Sequence, residues 1–321
     1  MRVAVTGAGG RLGRALVEAL GDAPFAPAGP IAWRRPDFEL DELTPESLGR
    51  LLDRDRPEVV VHAAAWTDVD GCAREPDLAM RRNGEATGLL ADACAARGVD
   101  LVAISTNEVF DGRRNDGRGY RADDEPNPIN AYGASKLAGE RAAAAAFERV
   151  TGSPLGAYVP TGRPVSGVQL AIVRTAWLYG PPGNDFPAKI LAAAERAAAA
   201  GEPLALVADE IGSPTFTLDL AEAIVELIGS GEHRGIHHLV DSGIASRADW
   251  GRAVLAIAGI DVPTRDVPAA TWPRASTPPA WAVLEPTPLP GGEPLRPWQA
   301  ALADYVPSLV RRLSAAADPT R

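Results

Sequence analysis

A doubly wound, parallel α/β sheet of Rossmann type followed by a smaller C-terminal region is the fold class this sequence predicts. Three observations carry it. Short apolar strands alternate with helical stretches of ten or more residues from Arg2 to Arg174, the first strand runs into a glycine-rich turn, and the texture changes after Pro181. The chain has 321 residues, against a soft prior of roughly 150 per domain, so two compact units or one large unit with an appendage are expected.

The elements follow in order. Arg2 to Thr6 (RVAVT) is a buried strand that opens into Gly7-Ala8-Gly9-Gly10-Arg11-Leu12-Gly13 and a helix through Leu20. Ile31 to Trp33 is a second strand, Pro45 to Asp53 a helix, and Val59 to Val61 a third strand ending in Ala63-Ala64-Ala65. A helix over about Asn83 to Arg97, a strand over Asp100 to Ser105, a loop and the helix carrying YGASKLAGERAAAAAF come next, then the strand Leu170 to Arg174. Thr151 to Gln169, rich in Gly and Pro, is expected to be a surface insertion with the composition of a mobile loop. Beyond Pro181 lie an Ala-rich helix (Pro187 to Ala200), a strand (Leu204 to Val207), a helix (Leu218 to Ile228) and a strand near Ile236 to Val240. The tail from Pro263 to Pro297 is crowded with proline, which lacks the donor a ladder needs; loops and short helices capping the open end of the sheet are expected there.

Composition bounds the function. A formal charge of −10 disfavours a nucleic-acid or anionic-membrane surface, so an anionic ligand must be held by local donors. The start MRVAVTGAGG lacks the pattern of a signal peptide and no stretch of eighteen residues is uninterruptedly apolar, so a cytoplasmic location is expected. Cys72 and Cys94 form no CxxC pair; buried or half-buried thiols are expected, and no metal site is assigned.

Glycines at 7, 10 and 13, after a strand and before a helix, permit a tight turn, close approach of main chain to a pyrophosphate, and tight helix-to-strand packing. Position 12 is leucine, so the spacing leans toward the three-residue pattern of short-chain dehydrogenases and their extended relatives. At the end of the second strand, where NAD-preferring folds carry an acid for the ribose hydroxyls, the chain has Arg34 and Arg35. An arginine there suits a 2′-phosphate and favours NADPH, with NADH as the alternative; solvated surface arginines are the plainer reading.

All but two of the 32 basic residues are arginine, and one of the two lysines, Lys136, stands four after Tyr132. On a helix that spacing puts both on one face. A nearby ammonium is expected to lower the phenol from its ordinary pKa of ~10 and make it a usable general acid or base. Random placement of 5 Tyr and 2 Lys gives roughly 0.03 such pairs, so the pairing is not accidental. At the carboxyl end of the fourth strand, Thr106 or Ser105 can donate to a carbonyl oxygen and stabilise the charge that develops there; the alternative is that these hydroxyls cap the loop.

Eight blocks in order, TGAGGRLG, AAAWTDVDGCAREP, STNEVFDG, YGASKLAGE, VRTAWLYG, GNDFPAKIL, DEIGSPTFTLDLA and LRPWQAAL, resemble the dTDP-4-dehydrorhamnose reductase family of extended short-chain dehydrogenases, from Met1 to about Leu313. The resemblance implies a Rossmann-type fold and NAD(P)H-dependent reduction of the 4-keto group of a nucleotide-linked 4-keto-6-deoxyhexose. By resemblance Gly10, Arg11 and Leu12 hold the dinucleotide, Ala63 to Ala65 line it, and Asp41 matches an adenine-side acid. Thr106, Tyr132 and Lys136 are the implied catalytic trio. Trp177 lies against the sugar, Asn184 and Lys189 in the GNDFPAKIL block are taken as substrate contacts, with Lys189 either on the phosphates or equally a plain surface lysine, and a homodimer is admitted as the assembly.

The chain departs from the family pattern at Asn107 and Glu108, where Asp-Tyr is common, and both changes adjoin the expected sugar site. The block RASTPPAWAVLEP is altered as well. The implied division is a Rossmann domain over 1–178 with contributions from about 215–242, and a substrate-binding region over 179–214 and 243–321. Two rival readings stay open: a non-catalytic nucleotide-sugar or cofactor-binding subunit, and an epimerase or dehydratase of the same superfamily.

Overall fold

In the computed structural model, residues 1–160, 163 and 166–317 are described. The first half builds β1 (Val3–Thr6), α1 (Arg11–Gly21), β2 (Ile31–Trp33), α2 (Pro45–Asp55), β3 (Val59–His62), α3 (Val69–Arg74), α4 (Pro76–Ala79), α5 (Ala86–Ala95), β4 (Asp100–Thr106), α6 (Ala131–Thr151) and β5 (Leu170–Thr175). The second adds β6 (Leu178–Tyr179), α7 (Phe186–Ala200), β7 (Leu204–Val207), β8 (Ile211–Gly212), β9 (Thr215–Phe216), α8 (Thr217–Ser230), β10 (Gly235–His238), β11 (Ala245–Ser246), α9 (Arg247–Ala258), β12 (Thr264–Val267) and α10 (Trp298–Ala317).

Six strands form one parallel sheet in the order β10-β5-β4-β3-β1-β2. Their apolar runs are continuous because both faces are covered. Val3 and Val5 of β1 point into a core with α1 and α8, while Ala4 between them joins Leu48, Leu90 and Phe147 of α2, α5 and α6 on the other face. From β1 the chain steps outward to β2, then returns past β1 to β3. The order therefore reverses between β1 and β3, and ligands of such sheets bind in the crevice outside the carboxyl ends of the strands at that point.

A separate core unites α7, α9 and α10 around Tyr179, Trp250 and Tyr305. The short ladders β6–β9, β8–β11 and β7–β12 lie outside the main sheet, so the proline-rich tail contributes β12 to a side ladder and nothing to the centre. Apart from β12, that tail runs as loops with one short helical turn at Ala269–Thr271. After it, Trp298, Ala301, Leu302, Tyr305, Val306 and Leu309 form a stripe at helical spacing, and burying it makes α10 a 20-residue helix that tolerates Pro307.

The helix expected from Asn83 begins earlier, at Pro76, and passes through a π-helical stretch, Met80–Glu85, before α5. Asn83 sits in that stretch, with its amide accepting from the Trp66 N–H at 2.8 Å and donating to the Trp66 carbonyl at 3.0 Å and Ser135 at 3.1 Å.

Within the insertion, residues 161, 162, 164 and 165 lie outside the described residues. The part before them is packed. Ala157 bridges to Ile236, the Tyr158 ring stacks on His237 at 4.3 Å, and its hydroxyl donates to Glu232 at 3.0 Å. It covers the outer edge of β10, an edge that would otherwise stand open to pairing. Among the described residues no helix is long and apolar enough to cross a membrane. Cys72 and Cys94 are free and buried.

Candidate active site

The turn after β1 is shaped by what its glycines leave out. Gly7 has φ +63°, and a Cβ there would stand 2.8 Å from the main chain of Ala64, so the turn lies directly against the segment following β3. At Gly13 a Cβ would come within 2.1 Å of the Gly7 carbonyl, which lets α1 start tight against the turn. Gly10 caps α1 without a side chain, its N–H donating to the Gly7 carbonyl at 2.8 Å. The first turn of the helix therefore presents its unpaired amides and the positive end of its dipole to the crevice.

Two cavities meet here. One, of about 430 Å³, is lined by Gly9, Arg34, Arg35 and Ala64; the other, of about 440 Å³, reaches Thr106, Tyr132, Lys136 and Trp177. Both share Gly7, Gly10, Ala63 and Ala65, so they form one crevice across the glycine turn. A larger cavity of about 660 Å³, walled by Asp219, Glu222, Glu226 and Asp304, contains none of the expected catalytic side chains.

Asn130 caps α6, accepting from the Gly133 N–H at 2.8 Å and donating to Glu108 Oε2 at 2.7 Å. Gly133 is required beside it, since a Cβ would fall 2.0 Å from the Glu108 carbonyl oxygen. The capping turn thus seats Tyr132 against the loop after β4. Thr106 accepts from the Glu108 N–H at 3.2 Å and donates to Asn107 Oδ1 at 3.2 Å, and its hydroxyl also meets the Tyr132 phenol. Asn107 is held from behind by the Ala282 carbonyl at 3.1 Å.

The phenol does not behave as the Tyr-x-x-x-Lys spacing suggests. Burial and the Glu108 carboxylate push Tyr132 above its ordinary value, and the lysine's charge does not offset them. The reason is geometric: Lys136, only 6% exposed, donates from Nζ to the Ile104 carbonyl at 2.7 Å. Burial brings the ammonium itself down to about 8, with Glu140 one turn on opposing the shift. Glu140 in turn accepts from Ser105 and pairs with buried Arg174 at 2.7 Å. Ser105 also lines the crevice, but its hydroxyl is committed to Glu140, which leaves Thr106 as the hydroxyl beside the phenol.

Trp177 has φ +43°, a strained conformation for an aromatic residue, and its ring lies where a Cβ on Gly212 would come within 2.6 Å. The Arg247 guanidinium stacks 3.5 Å from the ring centroid and pairs with Glu210 at 3.5 Å; burial pushes it down to about 10. The sequence reading missed Arg247. Ser246 and Asp249 form a capping box that marks the start of α9, a signal that locates the residue but not its aim.

With this geometry in place, the comparisons decide the family. Residues 1–152 and 163–311 match the family described as RmlD substrate binding domain. A dTDP-4-dehydrorhamnose reductase of Mycolicibacterium smegmatis is 36% identical over 314 residues, covering 96% of this chain and 86% of that protein. The chain belongs to the dTDP-4-dehydrorhamnose reductase family. Among solved structures of such reductases, that from Clostridium acetobutylicum superposes with TM-score 0.81 at 29% identity, covering 97% of this chain and 100% of that one. The structure from Bacillus anthracis, in complex with NADP, gives TM-score 0.79 at 29% identity, covering 96% and 99%.

The remaining residues suggested by the family resemblance divide. Gly7, Gly10, Arg11, Leu12, Gly13, Ala63 and Ala65 line the crevice together with Asn107 and Glu108. Arg34 also lines it and makes no side-chain hydrogen bond or ion pair among the described residues, whereas Arg35 is tied to Glu39 at 2.5 Å. Asp41 is outside, paired with Arg82 at 2.5 Å. The Arg11 guanidinium turns away to the carbonyls of Gly180 and Asn184 and to Asp185, leaving only its main chain at the turn. Asn184 contributes that carbonyl and is otherwise exposed, and Lys189 is exposed on α7 away from both cavities.

Asp185, which the sequence reading did not single out, is a buried junction. It caps α7 through the Ala188 N–H at 3.1 Å, accepts from Gly180 N–H at 2.9 Å and Tyr305 hydroxyl at 2.6 Å, and pairs with Arg11 at 3.3 Å. It couples the start of α1 to α7 and α10.

Proposed function

We propose that this chain reduces the 4-keto group of a nucleotide-linked 4-keto-6-deoxyhexose with NADPH, and that its substrate is dTDP-4-dehydrorhamnose, giving dTDP-rhamnose. The observation that carries the reading is the convergence of Thr106, Tyr132 and Lys136 in one cavity with the glycine turn. The curated relative's name supports it, as does the NADP in the related Bacillus anthracis structure.

A dinucleotide suits the crevice, because Gly7 and Gly13 let the turn close tightly against Ala64 and the start of α1, and the first turn of α1 offers amides to a pyrophosphate. Arg34, without a partner among the described residues, suits a 2′-phosphate and makes NADPH the preferred form, with NADH a weaker substitute. When bound, the cofactor supplies hydride to C4 of the sugar. The chain's own residues manage the oxygen and the proton. Thr106 donates to the carbonyl and stabilises charge as it develops there. Tyr132, held as a neutral phenol by burial, delivers its proton to the alkoxide. Lys136 keeps one N–H on Ile104 and has two more for ribose hydroxyls and for the phenolate left behind. Trp177 and Arg247 form the far wall, a flat apolar face and a cation suited to a sugar nucleotide.

We assign dinucleotide binding to 1–178 with about 215–242, and substrate binding to 179–214 and 243–321. A cytoplasmic location and a homodimeric assembly belong to the same proposal.

The test is stoichiometric. The protein is mixed with NADPH and dTDP-4-keto-6-deoxy sugars while absorbance at the nicotinamide band is followed; one NADPH oxidised per product supports reduction. Product without net oxidation points to an epimerase or dehydratase. Binding of both ligands without turnover points to a regulatory subunit.

A further inference from the structure

Glu108 is a carboxylate that reduction does not require, set in the same cavity wall as the groups that hold the carbonyl. One of its oxygens is committed: Oε2 accepts from Asn130 at 2.7 Å, and Asn130 is itself fixed as the cap of α6. Oε1 makes no hydrogen bond among the described residues, and the residue is half-buried at the cavity wall. Its backbone is pinned at both ends, by Thr106 accepting from its N–H and by Gly133 packed on its carbonyl. A carboxylate so fixed, two residues after Thr106 and close enough to Tyr132 to perturb the phenol, lines the same cavity as the two hydroxyls that would bind a carbonyl.

Hydrogens on a carbon next to a ketone are acidic, because the pair left by the departing proton moves onto the carbonyl oxygen. Donors that can turn to that oxygen stabilise the enolate as they stabilise an alkoxide. Resting on the keto-sugar reading given above, we propose that Glu108 is a base that removes and returns the proton on a carbon adjacent to the carbonyl, giving the protein a proton-exchange activity beside reduction. The C–H bond breaks and an O–H bond forms at Oε1; the C–H pair becomes a carbon–carbon double bond while the carbonyl pair moves to oxygen, held by Thr106 and Tyr132. Return of a proton from Glu108 reverses each change, so nothing is oxidised or reduced. Burial raises the carboxyl and strengthens it as a base, aided by the charge of Glu210 and opposed by Asn130, Arg274 and Arg247.

The experiment incubates the protein with NADP⁺ and dTDP-4-keto-6-deoxyglucose in deuterated buffer and follows the mass of the sugar, with NADPH oxidation measured in a parallel arm. The proposal expects deuterium uptake at least tenfold faster than in buffer alone, falling by at least tenfold relative to residual reduction in Glu108→Gln. Uptake at the buffer rate by wild-type protein that still oxidises NADPH overturns the exchange activity and leaves the reductase reading standing. Uptake in Glu108→Gln at the wild-type rate overturns Glu108 as the base. Absence of NADPH oxidation overturns the reductase reading itself.

Discussion

On one side of the crevice the walls are main chain: the turn from Gly7 to Gly13 and the Ala63–Ala65 segment, with contacts so close that a methyl group would collide. On the other side the walls are side chains, Glu108, Trp177 and Arg247, in contact with Asn130 and Glu210. The first wall depends on its glycines rather than on its side chains, which suits the parts that every dinucleotide shares. The second is rebuilt by single changes, and that is where this chain departs from the family pattern it otherwise follows. Tyr132 stands where the two walls meet.

The largest effect is expected at that junction. Tyr132→Phe removes the proton donor while leaving both walls intact, so kcat should fall by about 10²- to 10⁴-fold with the dinucleotide Kd unchanged in a fluorescence titration. An undiminished kcat would mean that the proton comes from elsewhere. Next is pH. Lys136 has its pKa brought down to about 8, so the ammonium is present below that value and lost above it; kcat/KM should fall by about tenfold per pH unit above 8, and a flat profile to pH 9.5 would remove the lysine's charge from the mechanism. Gly13→Ala attacks the main-chain wall: its Cβ would meet a backbone oxygen at 2.1 Å, which cannot rotate away. Overpacking of this kind costs about 1–3 kcal/mol, and calorimetry should show a lower Tm together with dinucleotide binding weakened by about tenfold or more.

How much of this was legible in the sequence follows the same division. The sheet, the glycine turn and the Tyr132–Lys136 face are local patterns, set by periods of 2 and 3.6 residues and by spacings of three and four, so they can be read along the chain. The side-chain wall joins positions 108, 177, 210 and 247, which only the tertiary fold brings together. Arg247 was invisible for that reason, although its capping box was not. Lys189 and Asp41 show the converse, since residue type and position suggest a ligand while the fold leaves one exposed on α7 and pairs the other with Arg82. The Tyr132 pKa failed differently. Spacing placed the lysine on the right face, but it could not reveal that Nζ would bond to Ile104 and that burial would outweigh a cation.

The smaller effects test the division itself. Arg247→Ala should raise the Kd of a dTDP-sugar by about tenfold, the magnitude of one lost charge-assisted contact. Arg34→Ala, at an exposed position, should raise the Kd of NADPH by only a few-fold and leave that of NADH unchanged.

The central claim is that the two walls bind separately and meet only at the proton donor, and calorimetric titration of both single variants and the Arg34→Ala/Arg247→Ala double variant with each ligand tests it most directly. The account predicts that each single change weakens one ligand alone and that the double variant adds the two effects within about 0.5 kcal/mol. Weakening of both ligands by either single change would contradict it.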